Sequence, residues 1–173
     1  MPRSAEEEKA RQEAQDKAVR EANEREAANF AALGPNSPMA DYLPFLYGNH
    51  AREARQGIRR VRSRQQDAIA LLEAGRLNEL SSLLEFDVDA TPELCRAYAG
   101  ALGRAAAELD PRTGSNQVGK AIDLERQLPN LQWLAGERCD LAAPLGVLER
   151  NLRAVADSSR ITGFADKLVK LGK

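Results

Sequence analysis

From Ala54 onward, apolar residues recur three and four positions apart over most of the chain. Ala54, Ile58, Val61, Gln65, Ala68, Ile69 and Leu72 fall on one face of a helix. The same spacing returns at Leu94, Cys95, Tyr98, Leu102, Ala105, Ala106 and Leu109, at Leu145, Leu148, Leu152 and Val155, and at Ile161, Phe164, Leu168 and Leu171. Composition agrees with this periodicity. Apolar residues make up 43% of the chain, mostly Ala and Leu, and aromatics only 5%. Ala, Leu, Glu, Arg and Gln lose little side-chain freedom in a helix, and few runs carry the Val, Ile and Thr that favour strands. The expected class is all-α: a compact multi-helix bundle with a long charged N-terminal helical arm. A length of 173 residues suits one domain and an appendage.

The arm occupies residues 1–33. Ser4 followed by Glu6, Glu7 and Glu8 marks its start, with acids at the positive end of the helix dipole. Ala10, Ala14, Ala18 and Ala22 recur every fourth residue, and Val19 is the only larger aliphatic before Phe30. Burying four methyl groups offsets little of the cost of ordering so long a segment. Local pairs such as Glu13–Lys17 and Glu21–Arg25 would support it instead. The arm is then either a solvated helix or one that docks on a partner.

"LGPNSPM" (33–39) breaks that helix with Gly34, Pro35 and Pro38. Residues 34–48 read as a Pro/Gly linker carrying an aromatic knot, and 49–173 as the α-helical bundle. In the knot, Tyr42, Phe45 and Tyr47 sit with Leu43 and Leu46 around Pro44. Such a cluster buries a large area at small entropic cost. It either seals this protein's own core or plugs into a neighbouring subunit. Phe30, Tyr42, Leu43, Phe45, Leu46 and Tyr47 are therefore the candidate partner anchors.

Within the bundle a helix is expected from Asn49 to Ala74, stopped by Gly75, and a short one from Arg76 to Phe86. Thr91, Pro92 and Glu93 form a strong start signal for a helix to Leu109. Further helices open at Ser115 or Asn116, break or restart at Pro129, and begin at Pro144. The last is capped within Asp157–Ser159, with Lys167, Lys170 and Lys173 at its negative end. No repeat is evident.

Charge is nearly balanced overall, with a net of -1, but it is unevenly placed. Residues 50–66 hold six arginines against Glu53, and residues 73–93 hold Arg76 against six acids. Arg52, Arg55, Arg59, Arg60, Arg62 and Arg64 are the candidate phosphate-binding residues, since guanidiniums along a helix can grip a nucleic-acid backbone. No aromatic residues interleave for base stacking, and no DNA-reading module frames them. The arginines can equally pair with the acidic segment, in this chain or in another copy.

Little supports catalysis. His50 is the only imidazole, and Cys139 has no histidine beside it. "TGSNQVGK" (113–120) ends in Gly-Lys but lacks the first glycine, the following Ser/Thr and the preceding strand of a phosphate loop. Two distant cysteines and one histidine exclude the usual zinc pattern. No cofactor or metal is expected. Reduced thiols are the default, with one Cys95–Cys139 disulfide left open; these, with no secretory leader and no membrane span, fit a protein made in the cytoplasm.

The sequence thus points to a non-enzymatic structural, assembly or adaptor subunit of a larger complex. Its partners would be other copies of itself or neighbouring subunits. The excess of Arg (nineteen) over Lys (six) suits a GC-rich bacterial or bacteriophage source, and hence a virion component. The alternative is a nucleic-acid-associated protein using residues 52–64.

Overall fold

The computed structural model describes residues 4–81, 83–110, 112, 116–155 and 158–172. It is all-α: ten α-helices and two 3-10 turns among the described residues, and no strand there. The chain divides into two compact units, one of residues 1–37 and 41–61, the other of 38–40 and 62–173. The short helix α2 (Met39–Tyr42) holds residues of both.

The first unit begins with α1 (Ala5–Ala31), 27 residues and so about 40 Å long. Ser4 caps it, its Oγ accepting from the Glu7 N–H at 3.2 Å. No residue of α1 is buried. Local polar contacts run along it: Arg11 to Glu8 at 2.8 Å, Gln12 to Asp16 at 3.0 Å, and Lys17 Nζ 4.0 Å from Glu21. The chain turns at Gly34–Ser37, where Ser37 Oγ accepts from the Gly34 N–H. A 3-10 turn (Leu43–Tyr47) then packs against α3 (Ala51–Arg60).

The helix expected over Asn49–Ala74 is in fact two. After α3, Val61 is extended (φ -64°, ψ 120°), and α4 (Arg64–Glu73) starts afresh behind Ser63. The restart is fixed in the second unit by Asp67. Its Oδ2 accepts from the Ser63 hydroxyl at 2.8 Å and from the Met39 N–H at 2.9 Å. Nor does Asn49 cap α3; His50 occupies that position and makes no capping bond.

The second unit is built around α6 (Pro92–Ala107), which packs on both α4 and α9 (Ala142–Val155); α9 also packs on α10 (Ser159–Leu171). Leu94, Tyr98, Leu102 and Ala106 of α6 are fully buried, and Leu72, Leu148, Leu152 and Phe164 join them in the core. Thr91 caps α6 with Oγ1 accepting from the Leu94 N–H, and Ser158 caps α10 from Ile161. The expected starts at Ser115 and Asp157 lie outside the described residues, as does Lys173. α7 (Gln117–Glu125) follows Asn116, and α8 (Leu128–Gly136) carries Pro129 in its first turn.

The helix expected over Arg76–Phe86 is instead a 3-10 turn (Leu77–Leu80) and a single α-turn, α5 (Leu84–Asp87). A buried polar network explains the departure. Tyr98 Oη donates to Gln127 Oε1 at 2.9 Å, and Gln127 Nε2 donates to the Leu77 carbonyl at 3.1 Å. Asn130 Nδ2 reaches the Leu80 carbonyl at 3.0 Å and Gln127 Oε1 at 3.1 Å. Two carbonyls of the turn are thereby bound by side chains of another segment, so a continuous helix is not needed to satisfy them. Burial pushes the Tyr98 phenol far above its usual pKa, which keeps it a neutral donor.

α4 and α8 end in the same motif. At α4, Gly75 (φ 77°) follows the cap; its N–H donates to the Leu72 carbonyl, and that of Arg76 to Leu71. At α8 the left-handed position is Arg138 (φ 64°), with bonds from Arg138 to Ala135 and from Cys139 to Leu134. The cysteines are not separate reduced thiols, as expected from the sequence. Cys95 of α6 and Cys139, just past α8, form a disulfide with Cα atoms 5.4 Å apart, across 44 residues of chain. Sequence gives no sign of this pairing, because proximity of the two sites is a product of the packing.

Candidate interaction site

The aromatic knot closes on the end of α1. Phe30 is its hub: the ring lies 5.2 Å from Phe45 and 6.1 Å from Tyr42, both edge-on, and stacks on His50 at 4.8 Å. Edge-on and offset geometries match the opposed charges of ring face and ring edge. His50, the one imidazole, is thus half-buried in an aromatic cluster. Of the six anchor candidates, Tyr42 and Leu43 are buried, and Phe30, Phe45 and Leu46 are half-buried. Tyr47 stands apart with 76% of its surface exposed.

Tyr42 lies directly on α3 at Gly57. A Cβ at that position would meet the ring at 2.4 Å, so only glycine permits the approach. Beside this contact runs an open groove of about 290 Å³. Phe30, Ala31, Leu33 and Tyr42 line one wall, and Glu53, Gln56, Gly57 and Arg60 the other. All belong to the first unit.

The six candidate phosphate-binding arginines are divided between the two units. Arg52, Arg55, Arg59 and Arg60 ride on α3 in the first unit; Arg62 and Arg64 belong to the second. Arg52, Arg59, Arg60 and Arg62 are exposed, and Arg55 and Arg64 half-buried. Arg64 Nε donates to the Asp87 carbonyl at 2.8 Å. Its neighbour Gln65, read from sequence as part of an inward face, clamps the following loop. Gln65 Nε2 donates to the Asp89 carbonyl at 2.9 Å, and Oε1 accepts from the Asp89 N–H at 2.8 Å. Part of the basic block thus holds part of the acidic one. A cleft of about 230 Å³ opens there, with Phe86 on its rim and 63% exposed. Phe86 went unremarked in the sequence as an exposed aromatic, because a continuous helix gave it no distinct place.

Elsewhere the charges pair on the surface. An Arg76 hydrogen bond holds the Glu79 carboxyl below its usual range, and Arg112 does the same for Asp110. Among the described residues no group of three or more His, Cys, Asp or Glu could hold a metal ion, and no helix is long and apolar enough to cross a membrane. Comparison with known proteins reveals no relative: no family matches the chain, and no curated protein or solved structure resembles it significantly.

Proposed function

We propose that this chain is a non-enzymatic structural or adaptor subunit of a larger assembly, which meets protein partners through α1 and the exposed Tyr47. The observation that carries this reading is a 27-residue helix with no buried residue. Ordering such a segment costs conformational entropy that burial does not repay within the unit. A partner laid along it would supply the missing contact. The knot around Phe30 fixes where the helix ends, so its direction is set before any partner arrives.

The disulfide bears on where the protein works. Such bonds persist on virion and cell surfaces and are rare in a reducing cytosol. The reading therefore pairs cytoplasmic synthesis with action in an oxidising setting, and a virion component satisfies both. The nucleic-acid alternative has the exposed Arg52, Arg59 and Arg60 in its favour. Duplex binding that fades with salt and vanishes in the Arg52→Ala/Arg59→Ala/Arg60→Ala variant would support it.

The assembly reading is tested by placing a photo-crosslinking side chain at Val19, which is 55% exposed, in the organism that makes the protein. Adducts to a protein, absent when the crosslinker sits at exposed Arg126 of the second unit, are expected. No adduct at Val19 contradicts the reading.

A further inference from the structure

We infer that α3 pairs with α3 of a second copy, antiparallel and about a two-fold axis, through Glu53, Gln56 and Arg60. This rests on the assembly reading and names one partner for it. The three residues are exposed and occupy i, i+3 and i+7 of α3, so they share one face. Among the described residues no side-chain hydrogen bond or ion pair engages Glu53, Gln56 or Arg60. Glu53 and Arg60 are two turns apart, about 10.5 Å along the axis, too far to pair with each other in one helix.

The face is self-complementary. Reversing α3 about the midpoint of 53 and 60 sets Glu53 against Arg60 of the second copy, and Arg60 against its Glu53. Gln56 then lies beside the axis, while Gly57 stays under the ring of its own Tyr42. A two-fold interface requires this reciprocity, in which residue i meets j and j meets i. A partner of a single charge would satisfy only one end of the face. The face forms one wall of the groove, and the opposite wall, with half-buried Phe30 and Leu33, gives the methylene stem of the second copy's Arg60 an apolar surface to lie on. A ten-residue helix face covers less than the roughly 800 Å² per partner of a standard interface. The pairing is therefore weak in isolation and gains strength where many copies meet.

Sedimentation equilibrium of the full chain tests it. The expected result is a weak, reversible dimer. Glu53→Arg and Arg60→Glu should each weaken it by about tenfold or more, with helix content unchanged. The double variant Glu53→Arg/Arg60→Glu should recover to within about threefold of the original, since only groups that meet each other can be swapped. A second probe does not depend on charge. The native cysteines are paired, so Gln56→Cys introduces the only free thiol, and mild oxidation should give a covalent dimer. A monomer at all concentrations with no covalent dimer overturns the pairing. So do single variants that dimerise as before, or a double variant as weak as the singles. Adducts to a different protein at Val19 alongside such a monomer would sink the pairing and leave the assembly reading standing.

Discussion

Helices α1 and α6 begin alike and end up with different roles. Each has a hydroxyl cap, Ser4 or Thr91, accepting from the third residue on, and each has acids in its first turn. Yet no residue of α1 is fully buried, and only Phe30 at its end packs into a cluster, while α6 buries Leu94, Tyr98, Ala101, Leu102 and Ala106. Local signals suffice to write a helix. Whether that helix belongs to a core depends on what lies on its long face: four alanines and a valine in one case, leucines and a tyrosine in the other.

The strongest way to break this contrast is to cut what secures α6. The Cys95–Cys139 bond closes a loop of 44 residues, for which chain-entropy arguments give about 4 kcal/mol. Cys95→Ser/Cys139→Ser should lower the urea midpoint of the second unit accordingly, while the helical signal of α1 is unchanged. Coordinated loss of α1 would show that the two helices depend on the same core.

Leu102→Ala comes next. Leu102 is fully buried, so removing its methyl groups should cost about 3 kcal/mol, within a usual range of ~2–5. Val19→Ala on α1 should change stability by less than about 0.5 kcal/mol, because the site is exposed and alanine is the better helix former. Equal effects in chemical denaturation would remove the contrast.

A smaller effect sharpens it by comparing two helix ends. Gly75 closes α4 and Arg138 closes α8 with the same pair of backbone bonds. Arginine bears a steric cost at positive φ that glycine avoids. Arg138→Gly should thus raise the thermal midpoint, by about 0.5–1 kcal/mol in stability. A decrease would mean that the Arg138 side chain holds more than its exposure suggests.

Most of the fold was legible because its signals are local. Helical spacing gave the class, and Ser4, Thr91, Gly75 and Pro38 marked boundaries that the structure keeps. The errors share a cause. The apolar period runs unbroken from Ile58 through Val61 to Ala68, so it could not reveal the stop at Val61. That stop depends on Asp67 binding both Ser63 and the distant Met39. The segment after Gly75 looks helical, but its carbonyls are bound by Gln127 and Asn130, 50 residues away. The disulfide is invisible for the same reason. At the candidate site, the aromatic residues were legible as a knot, but their division was not. Phe30, at the far side of a proline-rich turn, draws in Tyr42 and Phe45 and leaves Tyr47 outside. The break at Val61 also ends α3 after Arg60, so Arg62 and Arg64 are not carried on that helix.

Hydrogen exchange of dilute, full-length protein compares the two helices most directly. If α1 is held only by its own turns, its central amides around Val19 open locally and exchange orders of magnitude faster than those of Tyr98 and Leu102, which open only with the whole unit. Matching protection at both places would mean that α1 shares in a cooperative core, and the account of it as an arm left for partners would fail.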